Sequence, residues 1–193
     1  MDILKFFRTF VSHNKLNNMK LADASKTNPN AILIHSGILF DVFNPRAEDV
    51  NVIDIAHALS HICRYGGHCP KFYSVAQHSV LCSLQPGTPR EQMEFLMHDS
   101  SEAYLMDLPR PIKRNMPSYV TIEESLLKVI FEHYKLNYPL SERVHEVDNT
   151  LLQYEYDNFY TNPNSSFDFW SPEQAKIEFL ARFNQLRLLI DQE

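Results

Sequence analysis

The stretch that most limits how this chain can fold is residues 96–114, LMHDSSEAYLMDLPRPIKR. A His-Asp pair, His98-Asp99, sits inside what reads as a helix, and Glu102 follows within one turn. The run into Asp107 is stopped by Pro109 and Pro111. Around the pair lie Phe95, Leu96, Met97, Ala103, Tyr104, Leu105 and Met106, so the helix is apolar on nearly every side. A helix of that kind is buried. Placing an imidazole and carboxylates on it costs on the order of several kcal/mol unless each is paired, hydrogen-bonded or bound to a metal. Concentrating that cost on one helix marks a site.

The rest of the chain is consistent with one mainly α-helical domain over residues 1–193. Long runs of Leu, Glu, Met, Lys and Ala favour helix, and a 44% apolar content is enough for a core without disulfides. Ala31–His35 and Ile38–Phe43 flank Ser36-Gly37 and predict a small β-hairpin packed on the helices as an accessory. Residues 2–11 predict a short amphipathic helix. The net charge of −6 argues against a nucleic-acid partner. Three cysteines without CxxC spacing, Cys63, Cys69 and Cys82, suit free thiols in a reducing cytoplasm. Neither a signal peptide nor an apolar run long enough to span a bilayer is visible.

Helices are expected from Asp54, as a cap, to about Tyr65, ended by Gly66-Gly67; from about Ser74 to Leu84; and from about Ser118 to Tyr134. Two more are expected, from Ser141 to about Tyr160 and after Ser171-Pro172. On the 141–160 helix the apolar stripe is Val144, Val147, Leu151 and Leu152, and Asp148 falls on it. Asp157 and Asp168 lie in polar surroundings and show no such conflict. His78 stands between Val75 and Cys82 on an inward face. Two histidines and two aspartates from three helices can cage one divalent metal with open positions. Glu102, at i+4 from His98, would stand beside that ion to handle a water. Arg64, Arg110, Lys113 and Arg114 add positive charge suited to an anionic substrate, although residues 110–114 equally read as a solvated segment. The His57/His61 pair reads as solvent-facing or core-bonded, and His68-Cys69 lacks a partner pair at zinc-site spacing. At this level a metal-dependent hydrolase and a purely structural cluster both stay open.

The order His78, His98-Asp99, Asp148 resembles the H…HD…D signature of the HD-domain phosphohydrolase superfamily. More closely, HDSSEAYLMDLPRPIK at 98–113 resembles the HDxxExxxxDLPxPxK stretch of bacterial HD-domain 5′-deoxynucleotidases and related phage dATP triphosphohydrolases. DIAHALSHICRYGGHCPKFYSVAQHS at 54–79 and VDNTLLQYE at 147–155 are similar to the same subfamily, so the likeness covers roughly 54–155. It implies a helical HD-domain fold and metal ligation by His78, His98, Asp99 and Asp148. It further implies that Glu102 handles the attacking water, that Arg64 contacts a substrate phosphate, and that Asp107 lies against the sugar. Tyr65, where the nucleotidases carry Trp, and Lys113 would complete the substrate contacts. The implied cofactor is one divalent transition metal, Co, Mn, Zn, Fe or Ni, with Mg less suited to imidazole donors. The implied partners are a small nucleotide substrate and further copies of the chain, as a dimer or larger. The implied activity is dNMP hydrolysis to deoxynucleoside and phosphate. Release of triphosphate from a dNTP is the alternative, and a catalytically silent nucleotide-binding protein is the alternative of another class.

Overall fold

The computed structural model describes residues 28–162 and 165–192, and the amphipathic helix expected at residues 2–11 lies outside them. Eight α-helices follow a two-stranded antiparallel hairpin in the described chain. The strands are β1 (Ala31–Leu33) and β2 (Leu39–Asp41), with Ile32 opposite Phe40. The turn is longer than the two residues expected: Ile34 and Ile38 pair beyond the strands, and Gly37 adopts φ +85°. Phe40 is buried and stacks on Tyr104 at 4.1 Å, so the hairpin gains its apolar contact from the helices rather than from itself.

The helices are α1 (Val52–His61), α2 (Val75–Ser83), α3 (Pro89–Met97), α4 (Glu102–Leu105), α5 (Arg110–Lys113), α6 (Pro117–His133), α7 (Glu142–Tyr156) and α8 (Pro172–Ile190). Ser74, Thr88, Ser141 and Ser171 cap α2, α3, α7 and α8 with their side chains. The cap of α1 is Asn51 rather than Asp54; Asp54 lies one turn in, where its backbone N–H donates to Asn51 and its carboxylate accepts from Asn51 and Ser36. The same helix ends at His61, four residues before the position expected. Gly66-Gly67 instead shapes a separate turn, Arg64–Gly67.

α8 lies across α1, α2 and α3, which explains a core built of Ile55, Leu59, Val75, Leu96, Phe179 and Leu186. α7 packs on α2 and α3 through a smaller cluster of Cys82, Phe95, Val144, Val147 and Leu151. That cluster is the apolar floor on which the polar residues of α2, α3 and α7 converge. No helix among the described residues is long and apolar enough to cross a membrane.

Candidate metal centre and cleft

His98-Asp99 does not lie inside a continuous helix. α3 ends at Met97, and the chain tightens into three-residue turns before α4: Ser100 N–H donates to Met97 O, Glu102 N–H to Asp99 O and Ala103 N–H to Ser100 O. The tightening changes the angle between the His98-Asp99 pair and Glu102 while the run stays buried. His98 Nδ1 lies 2.7 Å from Phe95 O. A carbonyl only accepts, so Nδ1 carries the proton and Nε2 is left with a free lone pair. His98 is 7% exposed and its Nε2 has no hydrogen-bond partner.

His78, fully buried on α2, is oriented in the same sense. Its Nδ1 is 2.6 Å from Glu155 Oε1, and its Nε2 faces Asp148 Oδ1 at 3.3 Å and Asp99 Oδ2 at 3.8 Å. His98 Nε2 stands 3.2 Å from Asp99 Oδ2 and 3.9 Å from Asp148 Oδ1. Donors held about 2.0–2.1 Å from one four-coordinate ion stand about 3.3–3.4 Å apart. Two of the four separations, 3.2 and 3.3 Å, match that spacing, the other two are about half an ångström longer, and one of the ring nitrogens is buried and unpartnered. Cys82 joins them: ligand atoms of His78, Cys82 and His98 all lie within 4.8 Å of one another, a buried group that could hold a metal ion. The Cys82 sulfur is 3.5 Å from Nε2 and 4.0 Å from Nδ1 of His78. Such similar distances place it beside the ring rather than in line with the Nε2 lone pair.

Charges of both signs offset one another around the cluster. Burial and the Arg64 guanidinium push His78 toward its neutral form, yet Cys82, Glu155 and Asp148 outweigh them and raise its pKa well above the ordinary value. Asp148, despite burial, is held far below the usual carboxylate range by His78 and His98. Its other oxygen accepts from Arg110 Nη2 at 2.6 Å.

A cleft of about 300 Å³ opens onto the cluster. Arg64, Tyr65, Asp99, Glu102, Asp107, Arg110, Lys113 and Asp148 line it, among others. Arg64 is set there by a short bridge: its N–H donates to Tyr73 O, Val75 N–H donates to Ile62 O, and Cys63 pairs with Ser74. The turn that follows is left-handed at Tyr65 (φ +57°), Gly66 (φ +59°) and Gly67 (φ +83°), a conformation that glycine adopts freely and tyrosine does not. Glu102 is buried, with Oε1 3.5 Å from Lys113 Nζ and Oε2 unpartnered. Burial, then Asp99 and Asp107, push its carboxyl well above the ordinary range, against Lys113 and Arg64. Burial raises Asp107 as well. Lys113 donates to Glu123 at 2.8 Å.

The residues expected at the site therefore meet in one place: His78, His98, Asp99 and Asp148 lie together, with Arg64, Tyr65, Glu102, Asp107 and Lys113 around them. Of the cationic run, Arg110 and Lys113 line the cleft, whereas Arg114 is exposed and does not. His57 and His61 lie elsewhere, in a stack with His35. Two residues were missed. Cys82 was read only as a packed thiol. Glu155 was not singled out at all, although it stands at i+4 from Leu151 and i+7 from Asp148, on the stripe that had marked Asp148.

Fold and site together define a mainly helical protein with a buried His/Cys/His group, flanked by two carboxylates, that could hold a metal ion. No protein-family model matches the chain. The uncharacterized protein YfdR of Escherichia coli K12 is 39% identical over 157 residues, covering 72% of this chain and 85% of YfdR. An uncharacterized protein of Rhodobacter capsulatus is 31% identical over 161 residues, covering 76% of this chain and 82% of that protein. The chain belongs to the family of YfdR.

Proposed function

We propose that this protein is a metal-dependent phosphohydrolase of the HD-domain type, acting on deoxynucleoside 5′-monophosphates. The observation that carries the reading is the meeting of His78, His98, Asp99 and Asp148 at donor spacings suited to one ion, with Glu102 and Arg64 beside them. His78, His98, Asp99 and Asp148 would hold the ion, which would supply Lewis-acid chemistry and a more acidic bound water. Arg64 presents its guanidinium to the same cleft and balances charge that develops on phosphorus. Glu102 offers an unpartnered buried oxygen, Oε2, as the place where the water's proton is taken. Asp107 and Tyr65 form the wall for the sugar.

Hydrolysis of dNTPs to triphosphate is the second reading, and Arg110 and Lys113 favour it, because both line the same cleft as Arg64 and could meet a longer phosphate tail. A turnover panel with Co²⁺ or Mn²⁺, covering the four dNMPs, the four dNTPs and ribonucleotide controls, separates the two by product. Free phosphate from dNMPs is the expected result, and triphosphate from a dNTP would establish the second reading. Silence across the panel in metal-loaded protein would refute both and leave a nucleotide-binding protein or an enzyme for an unrelated phosphoester.

A further inference from the structure

We infer that Glu155 is the positioning residue that ties the metal-binding and anion-binding halves of the site into one unit, so that loosening it weakens both. The inference rests on the reading that His78 ligates an ion and Arg64 meets a phosphoryl group. Glu155 is fully buried near the end of α7. Its Oε1 accepts from His78 Nδ1 at 2.6 Å and from the Tyr73 hydroxyl at 2.7 Å. Its Oε2 accepts from the Tyr65 hydroxyl at 2.7 Å and from Arg64 Nη2 at 3.2 Å. Four donors therefore use the acceptor capacity of one carboxylate.

Each bond does something different. The bond to His78 fixes its ring so that Nε2 faces Asp99 and Asp148, and a carboxylate behind a ligating imidazole also strengthens it as a donor. The bond to Arg64 holds one arm of the guanidinium and leaves Nη1 toward Asp99, at 3.6 Å. The bond to Tyr65 anchors a cleft residue whose left-handed backbone is otherwise unfavourable. Tyr73, fully buried, holds the carboxylate itself in place. Glutamine at position 155 has nearly the same shape, but its amide presents N–H donors where two of the four partners also donate. His78, Arg64 and Tyr65 would then lose their common reference.

The test is a Zn²⁺ titration of the full chain against a competing chelator, wild type beside Glu155→Gln, at one fixed pH, with circular dichroism to verify the fold. Inorganic phosphate is then titrated into each protein at saturating zinc. Glu155→Gln is expected to weaken zinc binding about 10–100-fold. It should also weaken phosphate binding about fivefold, the effect of one lost hydrogen bond of about 1 kcal/mol. A residue with only a structural role would lower the melting temperature and leave both affinities of the folded protein unchanged, which would overturn the inference. Loss of zinc affinity alone would overturn the coupling. Should the variant not fold, the zinc-loaded wild type with ¹⁵N-labelled histidine decides: a downfield, exchange-protected Nδ1 proton on His78 is expected, and its absence overturns the inference. Wild type that takes up no zinc would instead remove the metal reading itself.

Discussion

The two oxygens of Asp148 face different partners, one the His78 nitrogen at 3.3 Å and one the Arg110 guanidinium at 2.6 Å. Against its burial, His78, His98 and Arg64 keep this carboxylate ionised. Asp99 likewise stands between His98 and Arg64. At this scale the roles of neighbouring acids separate cleanly. Asp99→Ala should bring metal content, read by elemental analysis, down to background and abolish turnover; a fully active variant would remove the metal-site reading. Glu102→Ala should retain metal and substrate binding while kcat falls roughly 10²–10⁴-fold, the usual worth of a positioned acid–base group. Unchanged turnover would refute its role.

Among the elements, long helices carry His78 and Asp148, whereas two short ones carry the cleft residues Glu102, Arg110 and Lys113. α4 and α5 have four residues each, too few to persist alone, and owe their position to the packing of α1 and α6 against them. α3 is stabilised differently. Thr88 and Glu91 form a reciprocal capping box, with Thr88 Oγ1 accepting from Glu91 N–H and the Glu91 carboxylate accepting from Thr88 N–H. Thr88→Ala should cost about 1 kcal/mol. For a chain of this size that lowers Tm by about 2–4 °C. Zinc affinity should stay within about twofold, because the cap lies at the far end of the helix from His98. A large loss of affinity in calorimetric titration would show that the N-terminus of α3 helps to place the ligands.

For the molecule as a whole, a second titratable cluster, remote from the cleft, joins the hairpin to the helices. His35 stacks on His57 at 3.7 Å, and Lys176 of α8 reaches His57 Nδ1 at 3.3 Å and His35 Nε2 at 3.5 Å. Burial, with His35 and Lys176 nearby, lowers the His57 pKa from 6.5 to about 4. The unfolded chain therefore binds more protons than the folded one between those values, and stability must rise with pH across that window. The contribution is fully present above pH 6.5 and is lost as the pH falls toward about 4. In urea titrations from pH 7 to 4, His57→Asn should flatten the decline of the midpoint seen in wild type. An equally steep decline in the variant would assign the acid sensitivity to other groups.

Much of this was written locally in the chain. Helix-forming runs, the cap residues Ser74, Ser141 and Ser171, and acids or imidazoles on apolar stripes are signals within one or two turns. That is why the helical fold, the hairpin and the convergence of His78, His98, Asp99 and Asp148 were legible in order and spacing. The boundary at Met97 was not, because the tightened turns at His98–Ser101 leave the hydrophobic pattern of a continuous helix unchanged. Glu155 shares the stripe that marked Asp148, but its role was not legible, because its partners His78 and Tyr73 are 77 and 82 residues away. The pairing of Arg110 with Asp148, 38 residues apart, has the same origin. Sequence by itself determined which residues resist simple burial. Only the tertiary structure decided which of them satisfy one another, because the energy of a buried charge depends on its neighbours in space and not on its neighbours in the chain.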